Sequence, residues 1–348
     1  MQTPQKTPAE IVREMAGGFT LTQVVYTAVK LGIADHLKNG SMASHELAHA
    51  VDANPQSLHR FLRMMVVVNL LLQKEDGGFI LSALGELLRT DHPDSLRNRI
   101  LYIGEVNYPA AQGMSHAVQT GEPGFDHIFG MPFFEYFSRN PHTGALFNEL
   151  MSQGVEDRVA GIVAAYDFSK ARTIVDVGGG KGTLITAILK ANPQATGILF
   201  DAPTVLAEAE NYLADNGVAD RCRTVAGDFF QDTVPAGADI YILSNILHDW
   251  EDARVQLILN NCSGVMPPDS RLLVIEQLMP EQVLDAPVTV ASDVSMMLLL
   301  RGRERTEAEY GEILSLAGLQ VTSLIPFAAT RIYSGRKTNW AIIESKRL

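Results

Sequence analysis

Apolar positions in the first hundred residues recur at helical spacing. Val25, Val29, Ile33 and Leu37 fall four apart and predict one amphipathic stripe over Thr22 to Leu37. A second helix is expected over Ser44 to Val51. A third starts at the break Asn54-Pro55 and carries Leu58, Phe61, Leu62, Met65 and Val66 inward. Leu70 to Leu81 then reads as two short strands around a Gly-Gly turn. Three helices and a hairpin are the order of a winged helix. From about Leu101 to Lys170 the pattern is again helical, with aromatics at Phe133-Phe-Glu-Tyr-Phe and Phe147. After Lys170 apolar runs of strand length (Thr173 to Val177, Gly197 to Phe200, Asp239 to Leu243, Leu272 to Ile275) alternate with helical segments (Thr183 to Ala191, Val205 to Asn216, Ala253 to Val265). Such alternation predicts an α/β fold with a parallel sheet covered on both faces. Two last runs, Gln320 to Ile325 and Asn339 to Glu344, have no helix between them and are expected to pair antiparallel at or near one edge.

The parts divide the chain into 1–100, a winged-helix-like domain; 101–170, a helical linker; and 171–348, the α/β domain. Composition narrows what a winged helix means here. The chain carries a formal net charge of −12, and its first hundred residues balance 10 Lys+Arg against 10 Asp+Glu. Nucleic-acid binding needs surplus cations to displace counterions, so it is not expected. Phe19, Val24, Val25 and Tyr26 exceed what one helix needs for its own core, which favours a homodimer through this domain. Two cysteines, Cys222 and Cys262, exclude a disulfide framework or a Cys-based zinc site, and no metal is expected. The polar N-terminus and the lack of a long apolar run point to a cytoplasmic protein with no membrane partner.

The strand Ile174-Val-Asp-Val runs into Gly178-Gly-Gly-Lys-Gly182 and then directly into a helix, so a ligand can approach bare backbone there. A dinucleotide fingerprint fails, because its third glycine slot holds Thr183 or Ile185, and no nucleoside-triphosphate loop is present. Asp201 closes the second strand, where it suits ribose hydroxyls, and Gly227-Asp228-Phe229-Phe230 follows the third, with a carboxylate and rings for an adenine. A nucleoside without phosphates fits all three. Eight of nine histidines lie at or before His142, leaving His248 as the single neutral-pH base of the α/β half, at the sheet edge that holds the glycine loop.

Val175-Asp-Val-Gly-Gly-Gly-Lys-Gly, Gly227-Asp-Phe-Phe, Leu247-His-Asp-Trp-Glu-Asp, Ile275-Glu276 and Arg303-Glu-Arg-Thr-Glu together resemble the S-adenosylmethionine-dependent methyltransferases, and more narrowly the plant-type and bacterial small-molecule O-methyltransferases. The resemblance implies a Rossmann-like class I methyltransferase sheet behind a mainly helical winged-helix dimerisation domain. It implies S-adenosylmethionine, with S-adenosylhomocysteine as product, held by Asp176, Gly178, Gly179, Gly180, Asp201, Asp228, Phe229, Ser244 and Trp250. It also implies His248 as general base with Glu276 and Glu304 beside it, and an aromatic or polycyclic acceptor lined by Phe147, Met151, Asp249, Asp293, Met296 and Met297. Two departures stand out. Ser244-Asn245 replaces a basic residue found in many relatives, and Arg301-Gly302 replaces Gly-Gly, placing a long cation near the acceptor and suggesting an acidic or differently shaped one. C- or N-methylation, chemistry without methyl transfer, and a nucleoside-binding regulator are the competing readings.

Overall fold

The computed structural model describes residues 6–152, 155–328 and 339–348. The chain forms two compact units, Met1–Gln112 with Phe134–Leu150, and Gly113–Phe133 with Met151–Leu348. In the first, the helix Pro8–Lys30 is followed by Ile33–Leu37, Ser44–Ala50 and Pro55–Val67, then β1 (Leu71–Gln73) and β2 (Phe79–Leu81). Asn54 caps Pro55–Val67 by accepting from Ser57 N, with Pro55 in the first turn. The strands pair antiparallel, Leu72 opposite Ile80. Ile33, Leu47, Leu62, Met65 and Phe79 are fully buried. The stripe expected to run unbroken from Thr22 to Leu37 is instead two helices. Gly32, at φ 66°, turns the chain between them while Ile33 and Leu37 stay in the core.

The second unit is built on seven strands: β3 (Thr173–Val177), β4 (Thr196–Asp201), β5 (Cys222–Ala226), β6 (Ile240–Ser244), β7 (Arg271–Gln277), β8 (Leu319–Pro326) and β9 (Trp340–Arg347), in the order β5-β4-β3-β6-β7-β9-β8. The first five are parallel, and β9 pairs antiparallel with both β7 and β8. The expected hairpin is therefore present, with β8 at the edge and β9 inside the sheet; residues 329–338, between them, lie outside the described residues. Alternate β3 side chains face opposite layers: Val175 and Val177 meet Ile258 and Leu259 of the helix Asp252–Val265, while Ile174 meets Ile185 and Ile188 of Thr183–Ala191. The chain order places the crevice at the C-terminal ends of β3 and β6, where the winding direction reverses. No helix among the described residues is long and apolar enough to cross a membrane.

Candidate active site

Each parallel strand delivers one part of the site at its C-terminal end. After β3, Gly178, Gly180 and Gly182 all take positive φ, and a Cβ on Gly178 would stand 2.5 Å from Ile246 Cδ1 and 3.5 Å from the Phe229 ring. Behind the loop, a Cβ on Gly179 would stand 2.5 Å from the Asp176 carboxylate. From β4, Asp201 accepts from Gly180 N at 2.8 Å and from Ala202 N at 2.7 Å, which fixes its carboxylate against the loop and leaves lone pairs for a ribose. Burial raises its pKa, and these amide bonds oppose the rise. After β5, Asp228 closes its own turn, accepting from Phe230 N and Gln231 Nε2. Phe229, Phe230 and Trp250 pack edge to face beside it. Asn261 on the helix Asp252–Val265 donates to Phe229 O at 2.8 Å, anchoring that turn.

Residues present fit a nucleoside ligand bearing an ammonium group. Asp176 is buried, and its carboxylate oxygens make no well-formed hydrogen bond among the described residues, only a weak approach to the Ile185 amide. Burial first, then the nearby Asp201, push its pKa up to about 7. A cationic ligand group would remove that penalty.

β6 ends at Ser244, and Asn245, at φ 57°, turns the chain sharply while its N–H reaches Ile275 O on β7. A short turn, Leu247–Asp249, then presents His248, 8% exposed. Its Nδ1 lies 3.1 Å from Glu304 Oε1, and its Nε2 lies 3.4 Å from Asp249 Oδ1. Ser292 Oγ donates to the same Glu304 oxygen at 2.7 Å, and Asp293 accepts from Glu304 N at 2.9 Å. Glu276, at the end of β7, does not reach the imidazole. Its Oε1 accepts from Ile246 N and Leu247 N, so it holds the backbone that leads into the histidine. Burial by itself lowers the His248 pKa, but the fields of Glu276, Asp249 and Glu304 outweigh it and raise the imidazolium to about 10. Burial likewise lifts Asp249 to about 6 and Glu276 to about 7.

The other expected residues belong to both units. Met296 and Met297 are half-buried on the helix Pro287–Leu299, which also carries Ser292 and Asp293. Met151 is half-exposed, and Phe147 belongs to the first unit, stacked on Phe137 with centroids 4.8 Å apart. Arg301 is not an unpartnered cation awaiting an acidic acceptor. It pairs with Glu122, and Asp126 lies 4.0 Å away. At its neighbour Gly302 any Cβ would overlap the His248 carbonyl oxygen, so a side chain there forces the backbone to shift. Sequence reasoning missed Ser292, Gly302 and the buried Arg305. Only the Arg-Glu-Arg-Thr run hinted at the last.

Comparison with known proteins shows the family. Residues 112–320 match the O-methyltransferase domain and residues 13–91 the O-methyltransferase dimerisation domain. The chain belongs to the S-adenosylmethionine-dependent O-methyltransferase family. It is 39% identical over 322 residues to a phenazine O-methyltransferase of Lysobacter antibioticus, covering 92% of this chain and 94% of that one. It superposes with TM-score 0.83 and 32% identity on an O-methyltransferase from neocarzinostatin biosynthesis in complex with S-adenosylmethionine and 2-hydroxy-5-methyl naphthoic acid, covering 94% and 96% of the two chains. It is also 29% identical over 348 residues to 8-amino-8-demethylriboflavin N,N-dimethyltransferase of Streptomyces davaonensis, covering 99% and 96%.

Proposed function

We propose that this methyltransferase modifies a phenolic hydroxyl of an aromatic or polycyclic natural product, as a homodimer, with His248 as the base. The observation that carries the reading is the buried His248–Glu304 pair beside the glycine loop. S-adenosylmethionine supplies an electrophilic methyl group and departs as a neutral thioether, so no acid is needed on the leaving side. Gly178 to Gly180, Asp176, Asp201, Asp228, Phe229, Ser244 and Trp250 form the wall that would hold it.

The chain's own task is the acceptor's proton. An ordinary imidazole near pKa 6.5 is outmatched by a phenol near 10, a gap of about 5 kcal/mol. Raised to about 10 by its carboxylate neighbours, His248 in its neutral form meets the phenol on equal terms and takes the phenolic proton at Nε2, and the share of sites in that form grows as pH rises toward 10. Glu304 keeps Nδ1 protonated and steadies the imidazolium, while Asp249 stands at Nε2 where the hydroxyl must enter. Half-buried Met296 and Met297 suit a flat ring.

Incubation with S-adenosylmethionine and a panel of phenols, naphthols and aryl amines, read by mass spectrometry, tests this directly. A gain of one methyl on phenolic oxygen is expected. Methylation confined to amines would replace the reading with N-methylation, the activity named for the riboflavin relative.

A further inference from the structure

The three segments that carry the catalytic cluster meet at one residue. Arg305 is fully buried. Its backbone forms a parallel bridge with Leu278 and accepts from Met279 N at 2.9 Å, so it docks beside the continuation of β7, just past Glu276. Its guanidinium reaches the histidine turn. Nη1 donates to Leu247 O at 3.0 Å and Nη2 to Trp250 O at 2.8 Å, the carbonyls that bracket His248 and Asp249. Nε and Nη2 both donate to Asp252 Oδ1, at 3.0 and 2.7 Å. The preceding residue, Glu304, is the one that holds Nδ1 of His248.

A buried guanidinium is tolerated only when its donors are matched. Here they are matched to two main-chain carbonyls of the turn at a set spacing, to Arg303 O at 3.5 Å and to one carboxylate, a pattern that a planar fork meets and an ammonium does not. We propose that Arg305 is a positioning residue for methyl transfer: it sets the height of the Leu247–Trp250 turn at which His248 meets Glu304. The proposal rests on His248 being the base.

The test compares Arg305→Lys and Asp252→Asn with wild type, following the His248 imidazole by NMR titration alongside kcat and acceptor KM. In folded Arg305→Lys the ring is no longer held to Glu304, so its titration should fall toward the ordinary value by about one unit or more. In the same variant kcat should drop by about tenfold or more with little change in KM. Asp252→Asn keeps both carbonyl bonds and should show the same changes at smaller size. A lower melting temperature with unchanged titration and kcat would reduce Arg305 to a stabilising role and overturn the proposal. Should Arg305→Lys not fold, unchanged titration and kcat in Asp252→Asn would overturn it equally. Wild-type turnover in His248→Ala would instead overturn the base assignment, while the titration of His248 still decides whether Arg305 holds the ring.

Discussion

His248 was legible in the sequence because it stands alone. No other histidine lies in the α/β half, and a base at a strand end beside a glycine loop has few ordinary explanations. Its replacement by Ala should leave S-adenosylhomocysteine binding in place and cost about 10²–10⁴ in turnover, measured with a phenolic acceptor. The raised imidazolium sets the pH dependence. Below its pKa of about 10 the free site holds the proton, so kcat/KM should rise from neutral pH through the alkaline range, and Glu304→Gln should shift that rise to lower pH because one of the carboxylates that favour the cation is gone. A profile flat from pH 6 to 9 would count against proton removal at this ring. What Glu276 does was not legible: a carboxylate at a strand end reads the same whether it faces a side chain or, as here, two amide groups. Asp176 makes a second measurable claim. Its folded pKa lies above the unfolded value, so its native form takes up a proton, and the associated stability is present in acid and lost as pH rises through about 7. Asp176→Asn removes that loss. Without ligand, the variant should gain about 2–4 kcal/mol over wild type by pH 8 and almost nothing at pH 4, read by thermal or denaturant unfolding.

Among elements, β3 and the helix Thr183–Ala191 match their expected limits because an apolar run of one period gives way to another across the glycine loop. β5 did not stand out as a run. It forms an edge, pairs only with β4, and of its five residues only Cys222 is buried, so its hydrophobic signal is weaker than that of the inner strands. From the segment Arg301 to Thr306 the resemblance singled out Glu304 as a neighbour of His248, while the parts played by Gly302 and Arg305 were not legible. In the fold the whole segment is a bracket that passes against the back of His248, and the contacts of Gly302 and Arg305 have no local signal because their partners lie some fifty residues away. Gly302→Ala tests that close approach. The added methyl must push the histidine turn aside, and a displacement of about 1 Å is enough to lower turnover about a hundredfold. Wild-type kcat in this variant would show that the turn yields without consequence.

At the scale of the molecule, the first unit retains an apolar face that its own core does not use. Ile11, Val12, Met15 and Phe19 on the helix Pro8–Lys30 are 41%, 64%, 74% and 60% exposed. The proposed homodimer would cover them if it forms through this helix, and light scattering should then give about twice the 38.0 kDa chain mass. Phe19→Glu with Met15→Glu should shift the protein toward monomer; a wild-type monomer at micromolar concentration would refute the assignment. Of the residues the sequence singled out as surplus only Phe19 belongs to this face: Val24 is buried in the unit's own core, and Val25 and Tyr26 are half-buried, because the face lies nearer the start of the helix than the apolar spacing suggested.

The place of β9 has a consequence for synthesis. Residues 340–347 fill the slot between β7 and β8, and Ile342 and Ile343 within them are almost wholly buried. While a ribosome is still adding the preceding residues, β7 has emerged as a bare, apolar edge with nothing to pair with, and the Rossmann-like half cannot close strand by strand as it leaves the exit tunnel. Completion of the sheet waits for these residues, so chains stalled or truncated after residue 339 should be digested rapidly by protease and captured by chaperones, whereas chains extended through residue 348 should resist both.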